Sequence, residues 1–181
     1  MSSPAVDREA ALNRLKEQKP DSNQMQHALN SEAIMRALAA RLGEDQDRWG
    51  VCGLLHDVDY PHTMNDHPNH GLMAIGLLQG LPGVDEAMVN AIVAHNSEFS
   101  GKEPVSTLDY ALRAAETMTG LVYAASLMRP TGMVGMEVKS LKKKFKDKAF
   151  AANCRRDRIQ ECEKCGLSLD EFMDISIKAM S

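Results

Sequence analysis

The sequence predicts an all-α protein, and three observations carry that prediction. Apolar positions recur at helical spacing through almost all of the 181 residues, no useful stretch alternates polar and apolar side chains, and aromatic residues make up only 4%. Aromatic and β-branched residues favour strands, whereas the frequent Ala, Leu and Met favour helices. A hydrophobic content of 44% against 25% charged residues is that of a globular chain, and 181 residues suffice for one domain with a substantial core.

The elements follow in order. Residues 8–17 form a short amphipathic start. Residues 23–42 predict a strong helix, with Ile34, Met35, Leu38 and Leu42 on one stripe, His27 on the same stripe, and Gly43 as its stop. Asp45 or Asp47 caps a third helix running through Trp49 and Leu54 to His56. The stretch DYPHTMNDH reads as a polar loop ended by Pro68, followed by a helix over 68–79 whose first turn holds His70. Asp85 and Glu86 open the next helix, which His95 ends. SEFSGKEP links it to a long helix over 106–127, and RPTGMVG (129–135) reads as a long turn within one domain. Further helical patterns fill the tail to Met180. The expected organisation is a helical extension over 1–20, a core over 21–130 that carries the site, and C-terminal helices over 131–181 packed on it.

The net charge of −4 gives no electrostatic footprint for nucleic acid, and the first residues lack the apolar region of a secretory signal. No apolar run is long enough to span a bilayer, so a cytoplasmic protein that binds no membrane is expected. Cys52, Cys154, Cys162 and Cys165 do not make a disulfide framework in a chain this long. Cys162-x-x-Cys165 lacks a second pair or a following histidine, so it reads as two thiols on one helix, neither metal site nor redox motif.

The residues that carry chemistry are distributed among these helices. His27 lies near the start of one, His56 and Asp57 end the next, His70 follows, His95 ends another, and Glu116 shares a face with Leu112, Thr119 and Tyr123. Each alone reads as a satisfied core residue. Together, four imidazoles and two acids on the core sides of helices need a common solution, because an unpaired buried charge is costly. A metal centre supplies one.

The order His27, His56-Asp57, His70, His95 and then an acid resembles the HD-domain superfamily of metal-dependent phosphohydrolases, whose pattern is H…HD…D with two further histidines in two-metal members. Separations of 29 residues from His27 to His56 and 25 from His70 to His95 suit that arrangement. IMRALAARLGED, WGVCGLLHDVDY, AIVAHN and EVKSLKKKFKDKAFAA look like a small bacterial branch of HD proteins, so the resemblance covers nearly the whole chain. It implies a compact single-domain helical bundle. It also implies one metal on His27, His56, Asp57 and the last acid, a second on His70 and His95, and Asp57 as the bridge.

One position departs from the pattern. Where that branch has Asp in A-A-D-x-x-T-G, this chain reads Ala-Ala-Glu116-Thr-Met-Thr-Gly. The extra methylene moves the carboxylate by about a bond length, which alters metal geometry or weakens activity. Asp109, seven residues earlier, is the runner-up acid.

The resemblance implies hydrolysis of a phosphate ester, a nucleotide or another small phosphorylated metabolite, with His56 and Asp57 at the reacting centre. Mixed imidazole and carboxylate donors suit Mn, Fe, Ni, Co or Zn, with Mg also compatible, as one or two ions. Arg113, Arg129 and Lys142 in its lysine run are the cations expected at the phosphate, against the reading of that run as a solvated helix face. Asp59 either orients a metal ligand or makes a turn. Two alternatives are a di-iron HD oxygenase and a catalytically weakened metal-binding or sensory domain.

Overall fold

Capping side chains set most of the helix starts. Asp7, Asp21, Asp45, Asp85, Ser106 and Ser168 each accept the backbone N–H three residues ahead, satisfying a donor that the first turn leaves unpaired. In a computed structural model, which describes residues 4–181, these starts give α1 (Arg8–Glu17), α2 (Ser22–Leu42), α3 (Gln46–Leu55), α4 (Tyr60–Thr63), α5 (Leu72–Leu78), α6 (Glu86–Ala94), α7 (Ser97–Ser100), α8 (Thr107–Leu127), α9 (Val138–Lys146), α10 (Arg156–Gln160) and α11 (Leu169–Met180). No strand occurs among the described residues, so the predicted all-α class holds.

Helices α2 and α8, each of 21 residues, form the centre of the bundle. Helix α3 packs along α2, and α11 returns from the C-terminus to cover both α2 and α8. The fully buried side chains at these contacts include Ile34, Leu38, Trp49, Leu54, Leu121 and Phe172. Burying a side chain of this kind stabilises the fold by about 1.5–3 kcal/mol. The α2–α3 contact is close because Gly53 has no side chain: a Cβ there would lie 2.7 Å from the Ser31 carbonyl oxygen.

The structure departs from the sequence reading around residue 70. The segment expected to be a loop contains α4 and a 3-10 turn over His67–Asn69, and the helix expected over 68–79 begins only at Leu72. His70 is extended (φ −64°, ψ 129°) and Gly71 takes φ 85°, a left-handed conformation that glycine adopts freely. His70 is therefore presented from a bend and not from a helical turn. Met118 and Met136 are buried, whereas Met128 is 66% exposed at the end of α8. No helix of the described residues is long and apolar enough to cross a membrane.

Candidate metal centre

Four histidines and one aspartate meet at the heart of the bundle, each delivered by a different local device. His27 comes from the second turn of α2. The buried pair Leu54 and Leu55 anchors the last turn of α3, so that His56 at its C-cap and Asp57 beside it leave the helix pointing into the centre. His70 comes from the bend before α5, and His95 caps α6.

The imidazoles face one another through Nε2. His27 and His56 approach to 3.0 Å, and so do His70 and His95. Their Nδ1 atoms are already engaged. His56 Nδ1–H donates to the Gly53 carbonyl at 2.7 Å and His95 Nδ1–H to the Ile92 carbonyl. His70 Nδ1–H donates to Asp59 Oδ1 at 2.9 Å. The Thr119 hydroxyl donates to the Glu116 carbonyl at 2.6 Å, which leaves it to accept from His27 Nδ1–H at 2.9 Å. With Nδ1 carrying the proton in each ring, all four Nε2 atoms present lone pairs to the centre. Two lone pairs at 3.0 Å repel unless positive charge lies near them.

Asp57 stands between the two pairs. Its Oδ2 lies 3.5 Å from His27 Nε2 and 3.3 Å from His56 Nε2, while Oδ1 lies 3.2 Å from His70 Nε2 and 3.3 Å from His95 Nε2. Two triads result, His27-His56-Asp57 and Asp57-His70-His95, in each of which one donor atom per residue lies within 4.8 Å of the others. The titration behaviour expresses the same demand for positive charge. Burial raises the Asp57 carboxyl, but the facing His56, His70 and His95 outweigh it and hold the group well below the usual carboxylate range. Burial disfavours charge on His70, yet hydrogen bonds to Asp57 and Asp59 raise it to about 10. The donor set, imidazole lone pairs around a shared carboxylate, fits one or two divalent cations.

A second layer holds these donors in place. Asp59 is fully buried, and besides orienting His70 its Oδ2 accepts the backbone N–H of Gly71 at 2.7 Å and of Ala74 at 3.2 Å. It thus orients a donor and caps α5 at once. Asn96 Nδ2 donates to the His70 carbonyl at 2.9 Å, tying the bend to the end of α6.

Glu116 sits at the edge of the cluster, outside both triads. Its Oε2 is 4.0 Å from His27 Nε2, and its Oε1 accepts from the Thr117 hydroxyl at 2.6 Å. Asp109 is remote in role: its Oδ2 accepts the N–H of Val105 and Ser106, completing a capping box at the start of α8.

A cavity of about 460 Å³ opens over the donors, lined also by Tyr60, Asn96, Asn153, Cys154, Arg155 and Arg158. None of the three cations expected at the phosphate lines it. Arg113 forms a bidentate pair with Glu161 at 2.7 and 2.9 Å and donates to the Ala94 carbonyl and Ser97 hydroxyl. Arg129 closes its own turn onto the Gly132 and Val134 carbonyls, and Lys142 pairs with Asp170 at 2.6 Å. The cations at the cavity are Arg155 and Arg158. Nothing in RRDRIQ marks two of its arginines as facing donors that end at His95, far upstream, so helical spacing had no means to find them. Cys162 and Cys165 lie in a 3-10 turn, and burial pushes their thiols up to about 12 and about 11, which keeps them protonated at neutral pH.

An all-helical bundle with imidazole pairs around a shared aspartate presents donors that could hold a metal ion. The chain belongs to the HD domain family, whose match covers residues 25–130, and this is a family of metal-dependent phosphohydrolases. It is also 28% identical over 98 residues to Ribonuclease Y of Oleidesulfovibrio alaskensis, an alignment that takes in 54% of this chain and 18% of that protein. The chain therefore spans less than a fifth of the length of that relative. No solved structure matches. Asn153, Cys154, Arg155 and Arg158, which wall the cavity, lie beyond the family match.

Proposed function

We propose that this protein hydrolyses esters of small phosphorylated metabolites, with a nucleotide as the first candidate class. The observation that carries the reading is the pairing of four Nε2 lone pairs across Asp57, each fixed by an occupied Nδ1. On this reading His27, His56 and Asp57 hold one divalent ion, His70, His95 and Asp57 the other, and Glu116 supports the first from its edge. Such ions, when bound, lower the pKa of water and neutralise charge on phosphoryl oxygens. Mn, Fe, Ni, Co and Zn all suit these donors.

The chain's own residues supply the rest. Asp59, the Thr119 hydroxyl and the backbone carbonyls of Gly53 and Ile92 each accept an imidazole Nδ1–H, which keeps the four Nε2 atoms facing the centre. Asp57 is kept ionised and has an oxygen for each half of the site. Residues 21–130 carry the centre and residues 131–181 supply a wall of the cavity, which at about 460 Å³ is of small-molecule size. The relative's name denotes a ribonuclease, which accords with phosphoester chemistry. The net charge of −4 and the small-molecule size of the cavity favour a small ester over RNA for this chain.

The test is metal analysis of protein purified without chelator, followed by phosphate release from a nucleotide panel with Mn, Ni, Mg and Co. Stoichiometric metal and metal-dependent phosphate release are expected. Bound iron with no phosphate release under any condition would point instead to oxygen chemistry, and no stoichiometric metal would sink both.

A further inference from the structure

A carboxylate of the protein lies between two arginines at the mouth of the cavity. Arg155 Nη1 and Arg158 Nη2 both meet Glu98 Oε1, the second at 3.4 Å. The three groups differ in how firmly they are held. Arg158 is only 11% exposed, and its Nη1 donates to the His95 carbonyl at 2.9 Å and approaches Glu116 Oε1 to 3.8 Å. Its place above the metal donors is thereby fixed. Glu98 is 49% exposed on the four-residue α7, and can return to water without leaving a buried charge.

Arg158 also has unused binding capacity. Its Nε is buried and has no hydrogen-bond partner among the described residues. A phosphate binds a guanidinium bidentately through two neighbouring N–H groups, and Nε with the loosely engaged Nη2 forms such an edge. A single shared carboxylate oxygen leaves that edge half used. Arg155 uses its Nε–Nη2 edge on Asp157, at 3.2 and 2.6 Å, and offers Nη1 to the fork; a phosphate group has more acceptor oxygens and more charge than Glu98 with which to meet both arginines.

We propose that Arg155 and Arg158 form a fork for a second phosphate group on the substrate, beyond the ester that reacts, and that Glu98 occupies the fork when no such group is bound. This rests on the phosphate-ester reading above and narrows it to esters that carry two phosphates. The fork takes the outer phosphate because Glu98 and Arg155 lie at the solvent side, whereas His56 and His95 at the donors are buried. Arg155 and Arg158 are positioning residues for substrate, and Glu98 is a competitor that sharpens selection against esters with one phosphate.

Two measurements on wild type, Arg155→Gln and Glu98→Gln test this. Arg155 is 46% exposed, so its replacement leaves the fold intact. In the first, inorganic phosphate is titrated calorimetrically into chelator-treated protein that retains its helical circular dichroism. Arg155→Gln is expected to weaken phosphate binding about tenfold, and Glu98→Gln to strengthen it. Phosphate binding indifferent to Arg155→Gln overturns the fork. In the second, metal-loaded protein hydrolyses adenosine 5′-monophosphate and adenosine 3′,5′-bisphosphate. Arg155→Gln is expected to raise KM for the bisphosphate about tenfold more than for the monophosphate. Equal changes for both substrates overturn the proposal even where hydrolysis is robust. If no ester is hydrolysed but the calorimetric effects hold, the hydrolase reading fails and the fork stands.

Discussion

Asp59 illustrates how much of this site depends on a residue that would touch no metal. Its carboxylate accepts the His70 Nδ1–H on one oxygen and two backbone N–H groups on the other. An amide cannot do both, because its NH₂ would face either the ring N–H or the backbone donors. Asp59→Asn is therefore expected to weaken the ion at His70 and His95 about 10- to 100-fold while sparing the ion at His27 and His56. Metal titration should then give two separated affinities where wild type gives closer ones. Glu116 and Asp109 make a matched pair at the same scale. Glu116→Gln is expected to lower metal occupancy at His27, whereas Asp109→Ala leaves occupancy alone and costs about 1 kcal/mol of stability through its lost cap. Loss of metal in Asp109→Ala alone would reverse that assignment. His27, His56, Asp57 and His95 were legible in the sequence because helical spacing put each on a core side or at a helix end, where burial demands a partner; His70, which lies in a bend, was legible from its order in the HD pattern. Arg113 was expected at the phosphate as an available cation, but it is buried and its partner is Glu161. Charge type and helix face do not reveal which of two buried partners a guanidinium meets.

The helices were legible where a cap and an apolar stripe coincide. The starts at Ser22, Glu86 and Thr107 lie within a residue of expectation because Asp21, Asp85 and Ser106 announce them. The start of α5 was missed by four residues because its cap comes from Asp59, distant in sequence, and no local signal marks a long-range cap. Two predictions belong to elements. Gly53→Ala puts a Cβ 2.7 Å from the Ser31 carbonyl, so α2 and α3 must move apart. A cost of about 1–3 kcal/mol is expected in denaturant unfolding. Metal affinity should fall with it, since those helices carry His27 and His56. The start of α6 gives a pH-dependent case. A hydrogen bond from Arg48 holds the Asp85 carboxyl below its usual value. A depressed folded pKa means stability that is present above the unfolded value and lost as pH falls through the folded one. Asp85→Asn keeps a good cap but loses the ion pair, so at pH 7 it should cost under about 1 kcal/mol. Wild type and variant should converge as pH drops below about 4, the unfolded carboxyl value. A gap that persists at low pH would mean that the cap, not the charge, had been lost.

At the scale of the whole molecule the donors act as long-range ties. His27, His56, Asp57, His70 and His95 come from α2, the end of α3, the bend before α5 and the end of α6, and Glu116 adds α8. A bound ion joins elements separated by dozens of residues, and it binds the folded chain because unfolding scatters its ligands. In the metal-free protein the same elements converge on facing lone pairs, and a proton on His70 is the substitute: burial opposes that charge, but Asp57 and Asp59 raise the group to about 10. Removing metal therefore returns to the fold a repulsion that its packing must absorb. A ligand present at 100 times its dissociation constant stabilises the native state by about 2.7 kcal/mol per site. For a chain of this size about 1 kcal/mol moves Tm by about 2–4 °C, so chelation of one tight ion should lower Tm by roughly 5–10 °C, and re-addition of metal should restore it. The shift should also depend on metal concentration, as mass action requires. Asp57→Asn should abolish it, because both triads share that carboxylate, whereas His95→Ala should leave the His27 side responsive. A Tm indifferent to chelator after metal loading would mean that the cluster is held by protons alone, and the metal assignment would fall with it.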